Sequence, residues 1–283
     1  MTTILSIQSA VAYGHAGNSA AVFPLQRMGV EVWPVLTVNF SNHTGYGDWR
    51  GPLIPADQVR EVVHGIDDRQ VVDQVDALLT GYQGGPDVGA VILETAELVK
   101  RRNPAAIYCC DPVMGDVGRG FYCLPGIPEF MRDQVLPQAD VLTPNLFELE
   151  FLAGRETSGL DDVVAAAHDV RARGPQTVLV TSVTDPGSSQ DVMRMVAVTA
   201  DGAWKVETPM IERAFTGSGD VTTACFLAHL LRTGSAQQAL SATASIVYSL
   251  LRATADSGRE ELALVSSQDC FTTPQHTFRA VPV

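Results

Sequence analysis

The sequence predicts an α/β fold with a mainly parallel central sheet, helices on both faces and antiparallel strands at one edge. Short apolar runs rich in β-branched residues alternate with longer helical patterns, and this alternation is typical of β-α-β units. Later in the chain two apolar runs flank Asp201-Gly202, a residue pair that favours a two-residue hairpin turn. The composition, 46% apolar and 18% charged residues, is that of a globular protein.

The predicted elements follow one another without a linker or an internal repeat. Six runs are expected to be buried strands, at residues 4–7, 30–36, 77–79, 106–110, 139–142 and 178–180. Helices are expected at 19–28 and 161–173, the hairpin strands at 192–200 and 203–207, and two long helices at 221–232 and 236–254. The last twenty or so residues show no regular pattern. We expect one domain, 1–283, with its functional residues in the loops after the strands.

Charge and composition exclude several classes of function. The net charge of −13 and the lack of clustered Lys or Arg argue against a nucleic-acid partner. No apolar run is long enough to cross a membrane, and the first residues lack the features of a secretory signal, so a cytoplasmic protein is expected. The five cysteines show no C-x-x-C spacing and predict neither a disulfide framework nor a zinc site.

Gly217-Ser218-Gly219-Asp220 is the most informative segment, because it leads directly into a predicted helix. The glycines allow backbone N–H groups to converge on one anion at the helix N-terminus. Asp220 would suit a base that contacts an attacking hydroxyl while those amides hold a phosphoryl group. The alternative is that Asp220 merely caps the helix. At this position the charged form of the carboxyl group is expected to be stabilised, which predicts a weak base.

Two further loops carry oxygen-bearing side chains after predicted strands. Cys110-Asp111-Pro112-Val113-Met114-Gly115-Asp116 has two carboxylates, and Thr143 to Glu150 adds Asn145 and Glu148 one helical turn apart. Such oxygen donors suit a metal and phosphate site, although each loop alone could be an ordinary capped turn. The Walker loop, the protein-kinase motifs and the zinc-ligand spacings are all absent from the sequence.

The first loops of the chain collect hydroxyl, amide and aromatic side chains. They are Gln8-Ser9, Tyr13 to Ser19, Asn39 to Gly47 and Thr80 to Gly84. Together they suit a small heteroaromatic ligand, whereas His15, His43 or Tyr82 taken singly would be read as a satisfied polar group in a turn.

With these motifs in place, the chain resembles the ribokinase-like superfamily and, within it, the bacterial pyridoxal kinases. The G-x-G-D turn at Gly217 to Asp220 is the superfamily motif. The subfamily motifs are Gln8-Ser9, residues 14–18, 40–44 and 110–115, Gly81-Tyr82, and residues 143–148. This resemblance implies a ribokinase-like, Rossmann-like fold and ATP-dependent phosphorylation of pyridoxal.

The resemblance also implies roles for individual residues. Asp220 would be the base, with the amides of Gly217, Ser218 and Gly219 on the γ-phosphate. Substrate contacts would come from Ser9, His43, Thr44, Gly45, Tyr82 and Asp220. Contacts with ATP would come from Asp111, Thr143, Glu148, Thr181, Thr208, Pro209, Met210 and Ile211. Among the metal residues, Asp116 and Glu148 would bind Mg²⁺ largely through water, and Asp111 would lie near the triphosphate and a monovalent cation such as K⁺. A homodimer is also expected.

Two features depart from the family pattern, and two other functions compete with this one. Some bacterial relatives have Lys where this chain has Thr181, and Cys123 is offset from the cysteine that other relatives carry in the substrate-side loop. A hydroxymethylpyrimidine kinase shares the fold and the transferred group, but typically has a more glycine-rich first loop. A pyridoxal-binding reservoir protein would have no need of the complete Gly217 to Asp220 turn.

Overall fold

The computed structural model describes residues 1–183 and 191–283. In this part of the chain nine strands form the main sheet: β1 (Thr3–Val11), β2 (Glu31–Phe40), β3 (Ala77–Thr80), β4 (Ile107–Cys110), β7 (Val141–Leu142), β8 (Thr177–Val183), β9 (Val192–Val198), β10 (Ala203–Pro209) and β11 (Val281–Pro282). Their order across the sheet is β11-β10-β9-β8-β7-β4-β3-β1-β2. The strands from β2 to β8 pair in parallel, whereas β8, β9, β10 and β11 pair antiparallel. The predicted fold class is therefore confirmed.

Helices cover both faces of this sheet. They are α1 (Asn18–Arg27), α2 (Ala56–Asp67), α3 (Pro86–Arg102), α4 (Ile127–Phe130), α5 (Leu146–Ala153), α6 (Leu160–Arg171), α7 (Ser218–Thr233) and α8 (Ala236–Asp256). A separate two-stranded hairpin, β5 (Gly115–Asp116) and β6 (Gly120–Phe121), stands beyond the end of β4. Among the described residues no helix is both long and apolar enough to span a membrane.

The core lies in two layers because successive side chains of a strand point to opposite faces. Leu78 of β3 belongs to the cluster that faces α2, α3, α5 and α6, whereas its neighbours Ala77 and Leu79 belong to the cluster that faces α1, α7 and α8. In β8, Leu179 and its neighbours alternate in the same way. Buried on both faces, these strands appear in the sequence as continuous apolar runs.

The structure corrects the sequence predictions in two places. The N–H of Thr199 donates to the carbonyl of Gly202, so the central residues of the hairpin turn are Ala200 and Asp201, one position before the predicted pair. The C-terminal tail, which had no interpretable pattern, ends in β11, a two-residue strand paired with the edge of β10. Two residues are too few to show a strand periodicity.

Candidate active site

One cavity of about 690 Å³ opens at the carboxyl ends of the parallel strands. Every residue predicted for the site lines this cavity: Ser9, His43, Thr44, Gly45, Tyr82, Asp111, Asp116, Thr143, Glu148, Thr181, Thr208, Pro209, Met210, Ile211, Gly217, Ser218, Gly219 and Asp220. His15, a candidate from the first loop, is not among its lining residues. The strand ends thus bring together groups that are far apart in sequence, as expected for an open parallel sheet.

The N-terminus of α7 forms part of the cavity wall. Gly217 is its N-cap residue, with a left-handed φ of 83°, and a Cβ there would collide with the carbonyl oxygen of His15. As a glycine, the N-cap residue has no side chain that could satisfy the first N–H groups, and the N–H of Ser218 donates to the carbonyl of Phe215 at 3.2 Å. The positive end of the helix lies at the cavity, where it would attract an anion. Asp220 lies three positions after Gly217, so it is not the N-cap residue of α7.

Asp220 lies in the first turn of α7. Burial raises the pKa of its carboxyl group to about 6, although the backbone N–H groups of Gly17 and of Asp220 itself act in the opposite direction. The expectation of a stabilised charged form and a weak base is therefore wrong: the loss of hydration outweighs the favourable amides. A carboxylate with this pKa is a better proton acceptor than an ordinary aspartate.

A buried acidic group faces α7 from the end of β4. The Oγ1 of Thr223 donates to Oδ2 of Asp111 at 3.2 Å, and the hydroxyls of Thr143 and Thr223 lie 2.8 Å apart. Burial raises the pKa of Asp111 well above its usual range, and the negative charges of Glu148 and Asp220 raise it further. No ion pair neutralises these three carboxylates within the described part of the chain. A bound cation would relieve their repulsion.

Glu148 joins the start of α5 to the loop after β4. Asn145 caps α5 by accepting the N–H of Glu148 at 2.9 Å, and Oε2 of Glu148 accepts the N–H of Asn145 at 3.0 Å, which completes a capping box. The other oxygen of Glu148 accepts the N–H of Met114 at 2.8 Å, and Asn145 donates to the carbonyl of Gly115. The two loops that were predicted separately are therefore one hydrogen-bonded unit.

The described residues contain no preformed cluster of three His, Cys, Asp or Glu side chains able to hold a metal ion. Asp116 is exposed, and its carboxylate accepts the N–H of Val117. The remaining donors are carboxylate and hydroxyl oxygens, which fit Mg²⁺ bound partly through water and phosphate oxygens.

The two ends of the cavity differ in character. At one end Ser9, the turn that begins at Thr44, and Tyr82 lie beside Phe40, which belongs to the loop singled out in the sequence, and beside three apolar groups that sequence reasoning missed: Val11, Val38 and Trp49. At the other end residues 208–211 lie beside apolar groups of β9, β10 and α8, namely Met193, Met195, Val206, Ala244, Val247 and Leu251, which were also missed. Most of these missed residues follow the apolar pattern of ordinary core positions, so the sequence does not mark them as cavity residues. Only Trp49, which lies next to a polar loop, could have been recognised as a candidate.

Comparisons with known proteins agree with this geometry. Residues 56–264 match the family model described as phosphomethylpyrimidine kinase. The chain is 54% identical over 275 residues to pyridoxal kinase PdxY of Leifsonia xyli, with 97% of each chain covered. It is 52% identical over 276 residues to the same protein of Rubrobacter xylanophilus, covering 97% of this chain and 95% of that one. The pyridoxal kinase of Leishmania donovani, solved with ADP and pyridoxamine, superposes with a TM-score of 0.93 at 29% identity and full coverage of both chains.

The fold and the site define a small-molecule kinase. The chain belongs to the pyridoxal kinases, and it also matches the phosphomethylpyrimidine kinase family model over most of its length.

Proposed function

We propose that this protein transfers the γ-phosphoryl group of ATP to the 5'-hydroxymethyl group of pyridoxal and so forms pyridoxal 5'-phosphate. The observation that carries the proposal is that Asp220 and the start of α7 line the same cavity as Ser9 and Tyr82 on one side and residues 208–211 on the other. One end offers hydroxyl and aromatic groups for a pyridine ring, and the other offers an apolar slot for an adenine. The relatives named pyridoxal kinase support the same choice.

In this mechanism the protein positions groups and balances charge. Ser9, Thr44 and Tyr82 hold the ring so that its hydroxymethyl oxygen points at Asp220, which orients the hydroxyl and takes its proton during transfer. The N–H groups of residues 217–219 hold the γ-phosphate in line with that oxygen. Thr143 and Thr181 border the phosphates, and residues 208–211 border the adenine.

We propose Mg²⁺ as the divalent cofactor, held by Asp111, Asp116 and Glu148 largely through water, together with a monovalent cation such as K⁺. The unneutralised carboxylates support a metal at this place. Bound Mg²⁺ would supply charge neutralisation for the phosphates. Because His and Cys ligands are not grouped in the described residues, activity should need Mg²⁺ and resist a zinc-selective chelator. Activity lost to such a chelator and restored by zinc alone would contradict this assignment.

The cellular location and the oligomeric state are proposed from the family resemblance. We infer a cytoplasmic homodimer whose chain forms one domain, 1–283. The single sheet that includes both Thr3–Val11 and Val281–Pro282 supports the one-domain organisation.

A second candidate is phosphorylation of hydroxymethylpyrimidine, favoured by the description of the matching family model. Steady-state turnover with pyridoxal and with hydroxymethylpyrimidine, measured side by side with saturating ATP and Mg²⁺, separates the two. We expect kcat/KM to be higher for pyridoxal. A higher value for the pyrimidine would reverse the assignment, and binding of pyridoxal without turnover would instead indicate a reservoir protein.

A further inference from the structure

Glu261, which follows α8, ties together two loops at the substrate end of the cavity. Its Oε2 accepts the backbone N–H of His15 at 2.9 Å. Its Oε1 accepts the ring N–H of His43 at 3.1 Å and the hydroxyl of Tyr46 at 2.7 Å. These donors lie in the loops after β1 and β2, so one carboxylate joins three distant parts of the chain.

The contacts fix the ring of His43 from several sides. The ring stacks on Tyr46 with centroids 4.5 Å apart and planes at 29°. A Cβ on Gly45 would lie 2.9 Å from its Nδ1, so the absence of a side chain there makes room for the ring. A carboxylate oxygen only accepts hydrogen bonds, so Nε2 of His43 must carry the proton. In the neutral ring this leaves Nδ1 with a free lone pair.

The hydrogen bonds of Glu261 with His15 and His43 are partly shielded from solvent, whereas the one with Tyr46 is exposed. The side chains of His43 and Glu261 are each 14% exposed. Donating this hydrogen bond to Glu261 raises the pKa of the Tyr46 hydroxyl, as expected for a phenol that donates to a carboxylate. A Cβ at Gly14 would collide with the carboxylate of Glu261 in its present position, so any side chain there would displace Glu261.

The turn Thr44–Tyr46 has few other anchors. Its backbone hydrogen bonds are local, from the N–H of Tyr46 to the carbonyl of His43 and from the N–H of Gly47 to that of Thr44. His43, Thr44 and Gly45 line the cavity, whereas Glu261 does not. Without Glu261, the turn would lose its link to the C-terminal part of the chain.

We propose that Glu261 is a positioning residue that holds His43 and the Thr44–Tyr46 turn against the phosphoryl acceptor. This inference deepens the proposed function and rests on it, because the acceptor in question is pyridoxal. Glu261 acts through His43 and Tyr46 and does not touch the substrate.

The test compares Glu261→Gln with Glu260→Gln, which makes the same charge change at the preceding, exposed position. Glutamine has one acceptor oxygen and cannot serve donors on both sides, so Glu261→Gln should raise KM for pyridoxal about tenfold, the effect of one lost hydrogen bond to a charged group. KM for ATP should stay within about twofold, and Kd for pyridoxal without ATP should rise as KM does. Glu260→Gln should match the wild type in KM for pyridoxal, KM for ATP and Kd for pyridoxal.

A second variant tests the same contact with a change too small to unfold the protein. Tyr46→Phe removes one hydroxyl from a ring that is 43% exposed, and it should raise KM for pyridoxal by about threefold. In the double variant with Glu261→Gln the two effects should not multiply, because the same contact is lost in each. Unchanged KM and Kd for pyridoxal in both single variants would overturn the inference, and so would equal rises in the KM values for pyridoxal and ATP. In either case wild-type turnover of pyridoxal would leave the proposed function standing, whereas a wild type that neither binds nor phosphorylates pyridoxal would overturn both.

Discussion

At Asp220 two opposing influences act on one carboxyl group. The N-terminus of α7 and the nearby N–H groups favour the charged form, whereas burial disfavours it, and the net result is a pKa of about 6. At neutral pH such a group is mostly ionised and still more basic than an exposed aspartate. These properties suit a residue that accepts a proton late in phosphoryl transfer. The sequence placed Asp220 correctly but could not give the balance of burial against hydrogen bonding.

Asp220→Asn should lower kcat by roughly 10²- to 10⁴-fold, the usual contribution of a positioned general base. Asparagine keeps the shape but not the charge, so ATP should bind at least as well as before. The measurement is kcat and ATP affinity on the same folded preparation. Asp87→Asn, at an exposed first-turn position of α3, is the matched control and should leave both unchanged. Near-normal kcat in Asp220→Asn would remove Asp220 from the mechanism.

Tyr82→Ala should raise KM for pyridoxal about tenfold or more, because a partly buried aromatic surface at the substrate end is lost. KM for ATP should change little, since Tyr82 lies away from residues 208–211. Its carbonyl accepts from the Oγ1 of Thr37 at 2.7 Å, so the backbone should hold its place in the variant. Tyr82→Phe retains the ring, so its KM for pyridoxal should stay close to that of the wild type. Equal rises in both KM values for Tyr82→Ala would indicate a structural role.

Among the secondary-structure elements, the two long helices α7 and α8 were predicted, whereas the 17-residue α3 and the two-residue strands β5 and β6 were not. Helices α7 and α8 agree with the predicted helices 221–232 and 236–254 to within a few residues, because each carries several turns of apolar periodicity. The hairpin of β5 and β6 has two residues in each strand, and its local sequence contains no alternation to detect. Asn145 and Glu148 were singled out as oxygen donors, and the structure adds that they form the capping box of α5.

Asn145→Ala should destabilise the protein by about 1–2 kcal/mol, since α5 loses its N-cap and the carbonyl of Gly115 loses a donor. Asn145→Ser keeps an N-cap oxygen but cannot reach Gly115, so its free energy of unfolding should lie between those of the wild type and Asn145→Ala. Denaturant unfolding of the three proteins gives the order. If Asn145→Ala were as stable as the wild type, the capping box would contribute nothing to α5.

At the scale of the whole molecule, local sequence could not predict which distant segments meet. The alternation of strands and helices in the sequence was enough to predict that the functional residues lie at one edge of the sheet, because the carboxyl ends of parallel strands share that edge. The contacts of Glu261 with His43 and Tyr46 join residues more than 200 positions apart and have no local pattern. The same is true of α8, whose cavity-lining residues Val247 and Leu251 resemble the rest of its apolar face. Such contacts depend on how the helices pack onto the finished sheet.

His229 of α7 offers a test of how one buried group affects the stability of the whole fold. Its side chain lies in the interior, 7% exposed, and a guanidinium N–H of Arg232 donates to its Nδ1. Burial, followed by the positive charge of Arg232, lowers the pKa of His229 to about 4. In the unfolded chain the pKa should be near 6.5. The unfolded state therefore binds more protons than the folded state between these two values.

The contribution of neutral His229 to stability should accordingly be fully present above pH 6.5 and be lost as the pH falls toward 4. Relative to His229→Gln, which does not titrate, the wild type should lose about 1–2 kcal/mol over this range, after allowance for solvent screening. Urea unfolding of both proteins at several pH values between 7 and 4 gives the difference directly. A constant difference between the wild type and His229→Gln would mean that His229 titrates alike in the folded and unfolded states.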